Sequence, residues 1–276
     1  MIEPIPYDDF GGSGPLLHFV HSNGYTPGCF RQMLQPLAAE YHVTGIRLRP
    51  LWPGSDPQEL ESWDVIASDL REFFAQKGYR QVIGIGHSLG AVATMMAAVQ
   101  EPDLFRALVL IEPVFLPPDI LNMIAAQPEL AERMPLLPVT RRRRTHWPDR
   151  QAAFDHFRQK KIFQRWSDET IGDYVNYGLQ ETVEGEVTLT YSREWEARFY
   201  AHPPLKVWQD IPKVTQPTLA VRGADSDTLF PQSWQLWQEL QPEAAFVEIP
   251  EAGHMVTMER PQVLSVEVRK FLTKAL

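Results

Sequence analysis

One pentapeptide constrains this chain more than any other feature. Gly86-His87-Ser88-Leu89-Gly90 lies between Gln81-Val82-Ile83-Gly84-Ile85, an apolar β-rich run, and Ala91-Val92-Ala93-Thr94-Met95-Met96-Ala97-Ala98, which is small and helix-favouring. Strand before and helix after predict a sharp turn that pushes one serine hydroxyl out at the edge of a sheet. The two flanking glycines fit that turn, because a side chain two residues either side of the serine would collide with neighbouring backbone. The bare pattern arises by chance in roughly one chain in ten of this length, so the rest of the sequence has to support it.

It does so in order. Upstream, His21-Ser22-Asn23-Gly24 closes the run Leu16-Leu17-His18-Phe19-Val20. Downstream, Arg222-Gly223-Ala224-Asp225-Ser226-Asp227 follows Thr218–Val221, and Glu251-Ala252-Gly253-His254 follows Ala245-Phe246-Val247-Glu248-Ile249. Each piece ends a β-like run, so all of them gather at one edge of one sheet. With these motifs the chain resembles the α/β-hydrolase superfamily, in particular its capped serine hydrolases of the esterase and lipase kind. The resemblance covers nearly the whole chain, its middle third matching only as a variable cap.

The strand and helix pattern agrees. Phe30, Met33, Leu34 and Leu37 recur at helical spacing, His42–Leu48 reads as a strand, and Trp63, Ile66, Leu70, Phe73 and Phe74 form an amphipathic helix between Ser62, a candidate N-cap, and Gly78. Ala107–Ile111 is a further short strand, and Trp234–Leu240 and Val263–Leu272 are further helices. This alternation predicts an α/β fold with a mostly parallel, doubly wound sheet. Between residues 114 and 209 prolines cluster and apolar positions take helical periods, with Ser167 and Ser192 as candidate N-caps and a short hairpin around Val187, Leu189 and Tyr191. The expected organisation is a core of residues 1–113 and 210–276 with an inserted, mainly helical cap at 114–209.

The resemblance implies site roles. Ser88 is the expected nucleophile, His254 its base, and the N–H groups of Asn23 and Leu89 the oxyanion donors; Ser22 stands where the superfamily usually has glycine, which leaves Gly24 as a rival to Asn23. For the carboxylate that orients the imidazole, Asp227 is the choice, because Pro231 follows it by four. Asp225 competes, and so does Glu112, which ends the Leu108-Val109-Leu110-Ile111 strand. His87 is expected to shape the turn rather than act as base. Serine at the turn argues against relatives that carry aspartate there.

The expected activity is hydrolysis of a small-molecule carboxylic ester through an acyl-enzyme, in an apolar pocket under the cap, with no cofactor and no metal. The same triad in that superfamily also cleaves C–C bonds, amides or lactones, or performs perhydrolysis, and a silent binding protein is the reading from another class. Net charge is −9 over 276 residues, which argues against nucleic acid or an anionic membrane as partner. Cys29 is the single cysteine and no apolar run reaches the roughly 20 residues needed to span a bilayer. Met1-Ile2-Glu3-Pro4 opens no secretory leader, so a cytoplasmic chain is expected, and the resemblance implies a monomer or homodimer. Arg141-Arg142-Arg143-Arg144 reads as a solvated face or as partners for nearby acids.

Overall fold

In a computed structural model, which describes residues 4–276, ten strands and twelve α-helices follow one another along the chain. The expectation resting on Met1–Glu3 lies outside the described residues. The first strands are β1 (Tyr7–Gly11), β2 (Leu16–Val20) and β3 (His42–Ile46), with the short helix α1 (Arg31–Leu34) between the last two. The helix expected around Phe30–Leu37 is broken into 3-10 turns on either side of α1. Pro36 explains the second break, since it lacks the N–H that a continuous helix needs. Next come α2 (Asp64–Lys77), β4 (Val82–His87), α3 (Leu89–Gln100) and β5 (Phe105–Ile111).

From β5 the chain enters the segment expected as a cap. It holds α4 (Pro118–Ala126), α5 (Leu136–Arg142), β6 (His146–Trp147), α6 (Arg150–Arg158), α7 (Asp168–Gly178), β7 (Leu179–Glu181), β8 (Val187–Leu189), α8 (Arg193–Ala201) and α9 (Val207–Asp210). The chain then returns through β9 (Thr218–Gly223), α10 (Pro231–Leu240), β10 (Ala245–Ile249), α11 (Val256–Glu259) and α12 (Pro261–Ala275).

The main sheet has the order β1-β3-β2-β4-β5-β9-β10, and only β1, which the sequence pattern did not reveal, runs antiparallel. Successive residues on the central strands face opposite sides. Val82, Leu108, Leu110 and Ala220 join the core on one face, with Ile66, Leu70, Phe73 and Phe74 of α2. Ile83, Ile85, Val109, Leu219 and Val221 join the other, with Leu264, Val268 and Leu272 of α12. Gly78 ends α2 at φ 67°, the left-handed cap that the sequence suggested. α3 is buried on all sides along Leu89–Ala98, as a helix apolar all round must be.

The cap segment adds an antiparallel sheet of order β6-β8-β7, so the hairpin expected near Val187 is joined by a third strand. Ser167 and Ser192 cap α7 and α8 by accepting from the N–H groups of Thr170 and Trp195. Trp147, Phe157, Phe163, Trp166 and Tyr174 of the cap merge with one face of the central core, and Tyr191, Trp195 and Phe199 with the other. The segment expected as a cap therefore contributes to both halves of the molecule's hydrophobic interior. No helix of the described residues is long and apolar enough to cross a membrane.

Candidate active site

The turn from β4 into α3 carries Ser88 at φ 57° and ψ −117°. This is a region that side-chain-bearing residues adopt only when their surroundings impose it. Gly86 and Gly90 supply the surroundings. A Cβ on Gly90 would lie 2.0 Å from the Val20 carbonyl oxygen, and one on Gly86 would lie 2.4 Å from that of Gly90. β2, the turn and α3 pack backbone to backbone here, and Ser88 is left 6% exposed at the top.

His254 reaches Ser88 from the loop after β10. Its Nε2 lies 3.0 Å from Ser88 Oγ, and its Nδ1 lies 3.0 Å from Glu112 Oε2. A carboxylate accepts, so Nδ1 carries the proton and Nε2 is free to accept from the serine hydroxyl. The loop is tied down at both sides of the ring. His87 Nε2 donates to the His254 carbonyl at 2.9 Å, and the Gly253 N–H donates to Glu259 at 2.6 Å. Gly223 admits the loop, since a Cβ there would meet the carbonyl oxygens of Gly253 and Ala252 at 2.4 and 2.5 Å. His87 is thus a prop for His254, and burial pushes its pKa down to about 3, so it stays neutral.

The acid beside His254 is Glu112, which corrects the expectation for Asp227. Asp227 is exposed and its carboxylate approaches only the Thr228 hydroxyl, at 3.4 Å. Asp225 is also exposed and pairs with Arg165 of the cap at 2.8 Å. Between these two aspartates the buried residue is Ser226, whose hydroxyl donates to Glu112 Oε2 at 2.7 Å. The loop after β9 therefore offers a donor where an acid was expected, and the acid comes from the end of β5. Glu112 is fully buried, and the Gly223 N–H also donates to it, at 2.6 Å to Oε1. Charge-assisted donors of this kind keep a buried carboxylate oriented. Sequence reasoning weighed Glu112 but had no signal for Ser226.

Asn23 and Leu89 are the residues expected to supply oxyanion donors. Leu89 opens α3, where N–H groups have no intrahelical partner. His21 settles the direction of the Asn23 N–H. His21 Nε2 accepts from the Leu48 N–H at 3.1 Å, so Nδ1 is protonated and donates to the Ser22 carbonyl at 2.9 Å. Ser22 C=O and Asn23 N–H belong to one trans peptide and point opposite ways. Holding the carbonyl against His21 turns the N–H away from it. Among the described residues that N–H has no hydrogen-bond partner.

Residues of the 114–209 segment bring polar and aromatic side chains against this loop. Tyr25 packs against Trp166 and Tyr174, at ring separations of 6.3 and 5.4 Å. The Arg143 guanidinium lies 2.7 Å from the Glu196 carboxylate, and that carboxylate lies against Gly24. Of the arginine run, Arg143 alone pairs inward. Arg141 pairs with exposed Glu132, Arg142 bonds the Pro138 carbonyl, and Arg144 lies over Trp147. Among the described residues, no group of three or more histidine, cysteine, aspartate or glutamate side chains has the geometry of a metal site.

Known proteins share the sequence pattern and the fold. The model of the alpha/beta hydrolase family matches residues 19–267, and the chain belongs to that family. It is 26% identical to the sn-1-specific diacylglycerol lipase ABHD11 of Mus musculus, over 98% of this chain and 85% of that one. It is 22% identical to the 2-(acetamidomethylene)succinate hydrolase of Mesorhizobium japonicum, over 95% and 89%. A solved E-2-(acetamidomethylene)succinate hydrolase shares the fold with a TM-score of 0.80 at 21% identity, covering 98% of this chain and 95% of that chain.

Proposed function

Starting from membership of the alpha/beta hydrolase family, we propose that the chain is a serine hydrolase that cleaves carboxylic esters through an acyl-enzyme. The observation that carries the reading is the unbroken line Ser88 Oγ, His254 Nε2, His254 Nδ1, Glu112 Oε2, with 3.0 Å at each of its two contacts. A serine hydroxyl needs such a base to attack at neutral pH. Ser88 Oγ adds to the ester carbonyl carbon and its proton passes to His254 Nε2. Glu112 accepts from Nδ1 and stabilises the imidazolium. The carbonyl oxygen becomes an oxyanion that accepts from the Asn23 and Leu89 N–H groups, donors worth about 100- to 1,000-fold each. The C–O bond then breaks and His254 protonates the departing alkoxide. Water repeats the sequence, adding to the acyl carbon as His254 takes its proton, and the acid leaves as Ser88 regains a proton.

On this reading the substrate enters beneath the 114–209 segment beside Tyr25, whose ring packs against Trp166 and Tyr174. These rings support an apolar or aromatic group on the ester, since ligand pockets are mainly apolar with few polar groups that set orientation. The aligned lipase relative is consistent with an ester, and the aligned hydrolase of an acetamido compound keeps amides in the same test.

A fluorophosphonate probe and a series of p-nitrophenyl esters of rising chain length decide the matter. The expected result is labelling that Ser88→Ala abolishes, and ester turnover lost in the same variant. A chain that labels but turns over no ester acts on another bond, such as an amide, lactone or C–C bond. A folded chain whose serine never labels is a binding protein and overturns the proposal.

A further inference from the structure

We infer that the cap completes the oxyanion hole: Tyr191 and α8 are positioning residues that hold Asn23, and with it the Asn23 N–H, in working orientation. The inference rests on the acyl-transfer reading above. The Asn23 side chain is pinned at both ends by the cap. Its Oδ1 accepts from the Tyr191 hydroxyl at 2.8 Å, and its Nδ2 donates to the Glu196 carbonyl at 3.0 Å, in each case buried. The loop between β2 and α1 has no β-ladder at this point, and the next residue, Gly24, sits at φ 86°. Such a segment is conformationally free unless its neighbours fix it.

Those neighbours come from two directions. From the core side His21 holds the Ser22 carbonyl. From the cap side come the two Asn23 contacts, the Glu196 carboxylate over Gly24, and Arg143, which holds that carboxylate. Tyr191 itself is 1% exposed, and its ring lies 6.3 Å from that of His21 and nearly perpendicular to it. Core and cap thus grip one peptide unit between them. Glu196 is pushed toward its neutral form by burial and pulled back by Arg143, so the pair belongs to the clamp as a unit. Lifting Tyr191 and α8 together away from the core would break both Asn23 contacts and free the donor. Ester entry therefore leaves Tyr191 and α8 seated.

The test is Tyr191→Phe, which keeps the ring and removes the hydroxyl. With p-nitrophenyl acetate, kcat is expected to fall about 10- to 100-fold, less than for outright loss of a donor, while KM stays within about threefold. The dissociation constant of a trifluoromethyl ketone, which forms an oxyanion on Ser88, rises by the same factor as kcat falls. Hydrogen exchange of the 21–25 segment quickens. Asn23→Ala gives the same changes, and the double variant adds little to either, as expected of residues acting through one contact. Unchanged kcat, a rise in KM alone, or additive effects in the double variant would overturn the inference. Should Tyr191→Phe not fold, Asn23→Ala decides by the same criteria. Should Ser88 not label at all, the acyl-transfer reading fails, and exchange at 21–25 still shows whether the cap holds the loop: unchanged exchange in the variants rejects that too.

Discussion

Ser88 and Glu112 occupy the same level of the sheet on neighbouring parallel strands. His87 pairs with Ile111 in register, and Ser88 and Glu112 are each the first residue beyond the end of their strand. Both depart from extended backbone in the same sense, with φ 57° at Ser88 and 47° at Glu112. The Ser88 N–H donates to the Ile111 carbonyl, and the Glu112 N–H to that of Val221. Ser88 and Glu112 are therefore fixed by corresponding hydrogen bonds of two adjacent ladders, β4–β5 and β5–β9, and only His254 arrives on a loop. Positive φ in a residue with a side chain costs about 1–3 kcal/mol, so two such residues side by side point to a site that its surroundings over-determine.

The first prediction separates the two acids. Glu112→Gln is expected to lower kcat for an ester about 10,000-fold, because the neutral amide no longer stabilises the imidazolium or fixes its tautomer. Asp227→Asn, at an exposed carboxylate outside the site, stays within about twofold. Steady-state kinetics of both variants check this. A reversal of the two results would return the acid to the loop after β9.

Ser226 gives the second. Its hydroxyl donates to Glu112 and accepts from the Thr228 and Leu229 N–H groups. Ser226→Ala leaves one oxygen of a buried carboxylate short of a donor. The expected cost is about 1–3 kcal/mol of stability, the range for an unsatisfied buried group. A fall in kcat accompanies it, smaller than that of Glu112→Gln. Urea unfolding and kinetics on the same preparation measure both. An unchanged midpoint would mean that Glu112 needs no support from the β9 loop.

The turn around Ser88 was legible in the sequence because its requirements are local: glycines two residues either side, a β-branched run before, small residues after. His254 and the sheet were legible for the same reason, each motif closing its own apolar run. The acid was not. A carboxylate at the end of β5 and one on the loop after β9 can both reach His254, and the choice depends on which residue of Asp225-Ser226-Asp227 turns inward, a matter of loop path. The cap's grip on Asn23 lay still further out of reach, since Tyr191 and Asn23 are 168 positions apart. β1 escaped because Tyr7–Gly11 is half-exposed and carries two aspartates, so no apolar run marks it.

Gly90 gives the third prediction. Its Cβ would lie 2.0 Å from the Val20 carbonyl oxygen and 2.7 Å from that of His21, both backbone atoms. No side-chain rotation relieves that contact, so β2 must move away from α3. Gly90→Ala is expected to yield little soluble protein. Any folded fraction should be destabilised by more than the 1–3 kcal/mol typical of overpacking, and its oxyanion loop displaced. Gly172 of α7, where an added Cβ would meet nothing within 4 Å, is the control: Gly172→Ala gains about 0.5–1 kcal/mol from helix propensity. Melting temperatures of the two variants check both directions.

The last prediction concerns pH. His18, His21 and His87 are fully buried, and burial lowers their pKa values to about 3, 4 and 3. Unfolded, each titrates near the ordinary value of about 6.5. Below that pH the unfolded chain binds protons that the folded chain refuses, so stability is fully present above pH 6.5 and is lost as pH falls toward the folded values. Each histidine then contributes a loss of about 1.4 kcal/mol per pH unit. Buried Asp69 and Glu196, raised by burial, act in the opposite sense, but they do so nearer the carboxylate range, so the clean window runs from about pH 6.5 to 5. Across it the expected loss is about 2 kcal/mol per histidine, measured by urea unfolding at several pH values. His18 allows a direct check. Its Nε2 has no hydrogen-bond partner among the described residues, and its ring lies between Phe73 and Phe74. His18→Phe should remove one of the three contributions and make the slope shallower by about a third. An identical slope in the variant would show that His18 takes up its proton in the folded state.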